Sequence, residues 1–314
     1  MHDFSGHVLL EDETLRDGLQ NEARMFSVDE KLRLLSSIES AGVQRVQVGS
    51  FVHPKLVPTM ANTDELFDRI VPQPDVTYSA LVLNGTGLER ALNAGVKHLS
   101  ISVSASETHS RKNLNRSVDE ARTAVAGTIE KALEEGIAVR AGIQSALGCG
   151  FEGRIDPDKI VKIARDFARL GVREINIADT AGLANPRQVY QLCARLSEAL
   201  PDVSLSLHLH DTRGLGLANM VAGLHAGVRI FDAAMGGLGG CPFIPRATGN
   251  VSTEDAAYLY SEMGLETGLD WQAFAAPVAE LEAMLGKTLP GKASHLAPPP
   301  WVAQQSWEKR EAVA

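Results

Sequence analysis

The sequence repeats one local pattern, in which a helix-like segment ends at a glycine and a β-branched residue then leads into a short apolar stretch. The pattern occurs at Gly42, Gly95, Gly136, Gly171 and Gly227. Glycine is the usual residue just after a helix, because the backbone there often takes a left-handed conformation. Strands and helices that alternate in this way are typical of parallel α/β folds.

Three further stretches, HVLLEDET, VTYSALVL and SLSLHLH, bring the number of predicted strands to eight. Apolar periodicity predicts helices at about 27–42, 62–71, 85–94, 118–135, 156–170, 186–199, 216–226 and 253–263. Eight alternating units favour a closed (β/α)8 TIM barrel; a doubly wound open sheet is the alternative. A further C-terminal helix is expected at 270–285. We therefore predict a catalytic barrel domain, residues 1–290, and a Pro-rich tail, residues 291–314.

The length of 314 residues suits one barrel, and the net charge of −9 argues against a surface for nucleic acid or an anionic membrane. The three cysteines contain no CxxC pair, which makes a disulfide framework or a cysteine-based zinc site unexpected. The N-terminus has no signal-peptide pattern, and no run of about 18 apolar residues is present. We expect a cytoplasmic enzyme.

Polar side chains occur where the predicted strands end, which is where the active sites of such barrels lie. Strand one is expected to end in Arg16 and Asp17. The other polar residues at these ends are Gln47, Gln144, Asp179, His208 and His210. Packing of a barrel requires none of them, so their convergence predicts an active site.

The segment SLSLHLHDT predicts a metal site. Alternation along a strand places His208 and His210 on one face, close enough to bind one ion. Such a pair can also be structural, but its position at the end of strand seven favours metal binding. Asp17 can add an oxygen ligand, and Arg16 can stabilise a developing oxyanion. The alternative for these two residues is an exposed turn with a surface ion pair.

A glycine-rich segment, residues 236–240, leads to Cys241. Such a loop could close over a substrate and bring the thiol in as an acid or base. The alternative is a simple strand–helix connection with a buried cysteine.

Several segments resemble those of the hydroxymethylglutaryl-CoA lyase family, in order and spacing, from about residue 8 to residue 290. They are RDGLQNE, SFVHPKLVPTMAN, KNLN, ALGCGFEG, DTAGLANP, HLHDT and GGLGGCPFIPRATGNVSTED. The last segment is specific to that family, whereas TLRDG is shared with isopropylmalate and homocitrate synthases.

The resemblance implies a divalent metal, Mg²⁺ or Mn²⁺, and an acyl-CoA substrate cleaved to acetyl-CoA and a ketone. The implied metal ligands are Asp17, His208, His210 and Asn250. In the implied mechanism Asp17 or His208 takes the proton of the substrate's tertiary hydroxyl, Arg16 stabilises the enolate and Cys241 helps to return a proton. The positions expected to contact substrate are Gln20, Gln47, Asp179, Arg246 and Lys287, the last near the CoA-binding region. A homodimer is expected.

Two of these positions depart from the family's pattern. Gln47 stands where the family carries Glu, and an amide cannot take a proton. Arg246 stands where the family has Gly, and it either points to solvent or binds an anionic group of the ligand. Such departures leave open a different branched substrate such as citramalyl-CoA, a carboligating acyltransferase of the same barrel group, or a weakly active metal-binding paralogue.

Overall fold

The computed structural model describes residues 5–240 and 249–299. Eight parallel strands are hydrogen-bonded in chain order, and β8 pairs with β1, so the sheet closes into a barrel. The strands are β1 (Leu9–Asp12), β2 (Arg45–Ser50), β3 (Thr77–Val82), β4 (His98–Ser104), β5 (Ala138–Gln144), β6 (Glu174–Asp179), β7 (Ser204–Leu209) and β8 (Ile230–Ala233). The prediction of a (β/α)8 barrel is confirmed.

The helices surround this barrel. They are α1 (Val28–Ser40), α2 (Thr63–Arg69), α3 (Gly85–Asn93), α4 (Glu107–Leu114), α5 (Val118–Glu134), α6 (Pro157–Arg169), α7 (Pro186–Ala199), α8 (Gly216–His225), α9 (Thr253–Glu262) and α10 (Ala275–Leu285). A 3-10 turn, Trp271–Phe274, begins the segment that was predicted as one helix at 270–285. Helix α4 was not predicted, because Leu114 is its only apolar residue and its sequence has no apolar period. Nowhere in the described ranges is a helix both long and apolar enough to cross a membrane.

The glycine after α1 shows why the repeated joins need this residue. Gly42 has a φ of 89°, and a Cβ there would lie 2.3 Å from the carbonyl oxygen of Gly268. The backbone conformation and the close approach therefore both exclude a side chain. The glycines at the other four joins also have positive φ, as the pattern predicts.

The end of strand one differs from the prediction. The strand ends at Asp12, and residues Thr14–Gly18 form one π-helical turn in which the Gly18 amide donates to the Glu13 carbonyl. The turn begins where the Asp12 carboxylate accepts the amide of Thr14. The prediction that the strand runs to Arg16 and Asp17 is wrong, because this turn and not the strand carries both residues over the carboxyl end of the barrel.

Apolar side chains fill the space between the barrel and its helices. Leu205, Leu207 and Leu209 of β7 lie in this core, whereas His208 points into the barrel, as alternation along the strand predicts.

Residues just beyond 290 pack against α9, where the Asp255 carboxylate accepts the amides of Lys292 and Ala293. Residues 300–314 lie outside the described ranges, and the boundary at 290 stays a prediction.

Candidate metal and catalytic site

A cavity of about 570 Å³ opens at the carboxyl end of the barrel. Side chains from the π-helical turn and from β7 meet in its wall. The polar residues of this wall include Glu13, Arg16, Asp17, Gln20, His208 and His210. The loops after β1 and β7 therefore bring the predicted reactive residues into one space.

Asp17, His208 and His210 form a compact cluster in this wall. The two Nε2 atoms are 3.1 Å apart, and the Asp17 Oδ2 lies 3.6 Å from Nε2 of His210 and 3.9 Å from Nε2 of His208. The ligand atoms of all three residues lie within 4.8 Å of one another. Two nitrogens that face each other at this distance need a proton or a cation between them.

The ring of His208 is oriented by Asp232 at the end of β8. Nδ1 of His208 lies 3.1 Å from the Asp232 Oδ2, so a proton on Nδ1 leaves the Nε2 lone pair facing the cluster. Burial opposes protonation of His208, but the hydrogen bond to Asp232 and the carboxylates of Glu13 and Asp17 outweigh it and raise the pKa to about 9. The site therefore attracts positive charge.

Asn250 reaches the cluster from the segment that follows β8. Its Nδ2 donates to the Asp17 Oδ2 at 2.9 Å and to the Leu238 carbonyl at 3.0 Å. Its Oδ1 is buried and has no hydrogen-bond partner among the described residues. Gly249 makes this position possible, because a Cβ there would lie 2.4 Å from the carbonyl oxygen of Gly237.

These donors fit a divalent cation. An octahedral ion with ligands at about 2.1 Å holds neighbouring ligands about 3 Å apart, which matches the separation of the two Nε2 atoms. Burial opposes ionisation of Asp17, but the charge of Arg16 outweighs it and holds the Asp17 pKa well below its usual range. An ionised carboxylate, two imidazoles and an orphaned amide oxygen are a suitable set for Mg²⁺ or Mn²⁺.

Arg16 is held beside this cluster by three side chains. Its Nε donates to Oε1 of Gln47, one terminal nitrogen donates to Oδ1 of Asp17 at 2.5 Å, and the other donates to Oε2 of Glu13. Only 12% of the Arg16 side chain is exposed. A guanidinium has five N–H groups, so two remain for a ligand.

The remaining predicted site residues are distributed more widely. Gln20 lines the cavity. The Asp179 carboxylate accepts the amides of Leu183 and Ala184, while burial raises the pKa of Asp179. Lys287 does not line the cavity; it forms a 2.6 Å ion pair with Glu22.

Two predicted residues, Cys241 and Arg246, lie outside the described residues.

Three charged residues of the site were not predicted: Glu13, Arg140 and Asp232. The guanidinium of Arg140 is buried among the carboxylates of Glu11, Glu13 and Asp232, at 2.6–2.8 Å. Burial raises the pKa of Glu13 to about 7, against the effect of the Arg16 charge. The signal in the sequence was charge at inward positions of buried strands, as with Arg140 in AVRAGIQ and Asp232 in IFDA.

Comparison with known proteins agrees with this geometry. Residues 7–280 match the model of the HMGL-like family. The hydroxymethylglutaryl-CoA lyase of Pseudomonas mevalonii is 40% identical over 274 residues, which cover 86% of this chain and 90% of that protein. The (R)-citramalyl-CoA lyase of Chloroflexus aurantiacus is 37% identical over 304 residues, which cover 93% and 96%.

A solved structure shows the same similarity. The HMG-CoA lyase of Acinetobacter baumannii, in complex with coenzyme A and 3-methylmalate, matches with a TM-score of 0.88 and 34% identity. The match covers 96% of this chain and 100% of that one. The chain belongs to the HMGL-like family and is one of its carbon–carbon lyases.

Proposed function

We propose that this enzyme cleaves 3-hydroxy-3-methylglutaryl-CoA to acetyl-CoA and acetoacetate. The observation that carries the proposal is the placement of Arg16 directly beside the Asp17–His208–His210 cluster, in one cavity at the carboxyl end of the barrel. The cluster that would hold a metal to polarise the substrate hydroxyl therefore lies next to Arg16, whose guanidinium can stabilise the enolate. The identity to the Pseudomonas mevalonii lyase supports this substrate.

The metal would be held by Asp17, His208, His210 and Asn250. When bound, a divalent ion, Mg²⁺ or Mn²⁺, supplies Lewis acidity that lowers the pKa of the substrate's tertiary hydroxyl. The hydrogen bond from His208 Nδ1 to Asp232 keeps the imidazole oriented for this role.

Asp17 is the proposed base for the hydroxyl proton. A carboxylate has lone pairs left after it binds a cation, whereas His208 has only the Nε2 lone pair once its Nδ1 proton is donated to Asp232. The nearby Arg16 keeps Asp17 ionised at neutral pH. When the proton leaves, the bond between the carbinol carbon and the α-carbon of the thioester breaks, and its electron pair forms the enolate of acetyl-CoA.

Arg16 stabilises the charge on the enolate oxygen with the N–H groups that Gln47, Asp17 and Glu13 leave free. Cys241 then returns a proton to the α-carbon, which completes acetyl-CoA. Gln20 contributes polar surface near the acyl group. The buried Asp179 holds the chain after β6 beside the two histidines through the amides of Leu183 and Ala184. Arg246 binds an anionic group of the ligand.

The coenzyme A portion of the substrate would lie across the open rim of the cavity. The related Acinetobacter baumannii enzyme was solved with coenzyme A. Lys287 is 46% exposed and pairs with Glu22, which follows Asn21 of the cavity wall, so it can exchange this partner for a phosphate of the substrate.

Steady-state kinetics on a panel of 3-hydroxyacyl-CoA thioesters, with acetyl-CoA as the product measured, tests the proposal. Hydroxymethylglutaryl-CoA should give the highest kcat/KM, and chelation should abolish turnover until Mg²⁺ or Mn²⁺ is added back. A higher value for citramalyl-CoA would replace the proposed substrate, and full turnover in chelated enzyme would overturn the metal-dependent mechanism.

A dimer and a cytoplasmic location stay predictions, for sedimentation and cell fractionation to test.

A further inference from the structure

We propose that Glu13 is the positioning residue for Arg16 and supplies the negative charge that Gln47, a neutral amide, does not provide. The inference rests on the proposed function, because it concerns the residue that stabilises the enolate. The sequence pattern leads one to expect this negative charge on β2, at the position of Gln47. Here Glu13, just after β1, supplies it.

The three side chains that hold Arg16 differ in charge and in their other contacts. Gln47 supplies one neutral acceptor to Nε, and its own Nε2 is buried without a hydrogen-bond partner among the described residues. Asp17 supplies a carboxylate, but that carboxylate also faces the histidine cluster. Glu13 is thus the one carboxylate on Arg16, within the described ranges, that is not also a proposed metal ligand.

Glu13 lies between two guanidinium groups. Its Oε2 accepts from Arg16 and its Oε1 accepts from Arg140 at 2.8 Å, and its side chain is fully buried. Both oxygens accept from guanidinium donors, and these contacts favour the ionised carboxylate against the burial that raises the pKa of Glu13 to about 7. Glu13 therefore links the guanidinium of Arg16 to the fully buried guanidinium of Arg140.

The backbone of Glu13 joins the barrel to the π-helical turn. The amide of Glu13 donates to Ala233 of β8, and its carbonyl accepts the amides of Arg16 and Gly18. Glu13 is consequently fixed to the barrel and also begins the turn that bears Arg16. Without its carboxylate, Asp17 would be the only charged partner of Arg16 among the described side chains, and the stronger ion pair would make Asp17 a weaker base.

A relocation of the charge tests this assignment. The variants are Glu13→Gln, Gln47→Glu and the double variant E13Q/Q47E, assayed for kcat, KM and Mn²⁺ affinity. Glu13→Gln should lower kcat about 10²-fold, the scale of a small misplacement of a reacting group, while KM and Mn²⁺ affinity change less than about threefold. The double variant should recover at least about tenfold of that loss, since a carboxylate again faces Arg16.

Glu11→Gln is the matched control. Glu11 is buried and contacts Arg140 and Arg45, but not Arg16. Any loss in this variant should appear as lower thermal stability, and adding Gln47→Glu should not recover it. Equal rescue of Glu11→Gln and Glu13→Gln would overturn a specific role for Glu13, as would native kcat in Glu13→Gln.

Crystal structures of the variants separate this inference from the proposed function. The guanidinium of Arg16 should leave its position in Glu13→Gln and return to it in E13Q/Q47E. A wild-type enzyme that cleaves no thioester would overturn the proposed function, and the Arg16 positions would still decide on Glu13. An unmoved Arg16 in Glu13→Gln would overturn the positioning role.

Discussion

The two histidines of the cluster are supported differently, although they are only two residues apart at the end of β7. His208 has Asp232 behind its Nδ1, whereas the buried Nδ1 of His210 has no partner among the described residues. The orientation of His210 therefore depends on what its Nε2 binds. This asymmetry makes His210 the more informative position for testing the metal site.

His210→Ala should lower Mn²⁺ affinity by at least about tenfold, since even residues that only support a metal ligand change affinity 10- to 100-fold. Removing one imidazole from the rim should leave the barrel folded. Isothermal titration with Mn²⁺ measures the effect, and His7→Ala, an exposed histidine before β1, is the control. Unchanged Mn²⁺ affinity in His210→Ala would contradict the proposed ligand set.

Local patterns in the sequence predicted the histidine pair and Arg16–Asp17, but not the charges that support them. Glu13, Arg140 and Asp232 are far apart in sequence, and each alone looks like an isolated charge in an apolar stretch. Their pairing depends on barrel closure, which brings β1, β5 and β8 together. Only the closed sheet shows that the barrel interior is ionic.

At the scale of elements, the loop after β8 and the segment that carries Asn250 pack backbone against backbone. Gly249 lies where a Cβ would be 2.4–2.7 Å from atoms of Gly237, Leu238 and Gly239. The same contact holds Asn250 against Asp17. The glycine-rich sequence was interpreted as a closing loop, and its described part also has this positioning role.

Gly249→Ala should displace Asn250 and thereby weaken Mn²⁺ binding, because backbone atoms on the opposite side cannot rotate away as a side chain would. We expect a loss of at least about tenfold, the scale of a disturbed metal shell. Gly127→Ala is the control, since Gly127 lies exposed in α5 with nothing near an added Cβ, and alanine there should stabilise the helix by about 0.5–1 kcal/mol. Native Mn²⁺ affinity in Gly249→Ala would refute this role.

The elements were the part of the fold that the sequence predicted best. Period-two and period-3.6 patterns report burial on one face, and the glycine joins mark helix ends. The π-helical turn at Thr14–Gly18 has no such signal, because it depends on contacts with residues such as Met235, whose amide donates to Thr14. The sequence therefore predicted that Asp17, His208 and His210 lie together, but not the π-helical turn by which the chain brings Asp17 to the histidines.

At the scale of the whole molecule, the barrel is held from inside by a network of ion pairs. Arg45 of β2 forms two hydrogen bonds to Glu174 of β6, at 2.8 and 2.9 Å, and an ion pair to Glu11 of β1. Arg140 of β5 connects Glu11 with Asp232 of β8. Strands on opposite sides of the barrel are thereby tied to one another through its axis, below the Asp17–His208–His210 cluster.

Arg140→Met should destabilise the whole barrel by about 3–5 kcal/mol, because it leaves three buried carboxylates without their shared cation. The matched control is Arg195→Met. Arg195 also pairs with a carboxylate, that of Asp158, but both side chains are about half exposed or more, and such a pair contributes less than about 1 kcal/mol. Urea unfolding followed by circular dichroism compares the two variants under the same conditions. Equal unfolding midpoints for Arg140→Met and Arg195→Met would show that the interior network is dispensable for stability. A large decrease in the unfolding midpoint of Arg140→Met alone would show that the ionic interior holds the closed barrel together.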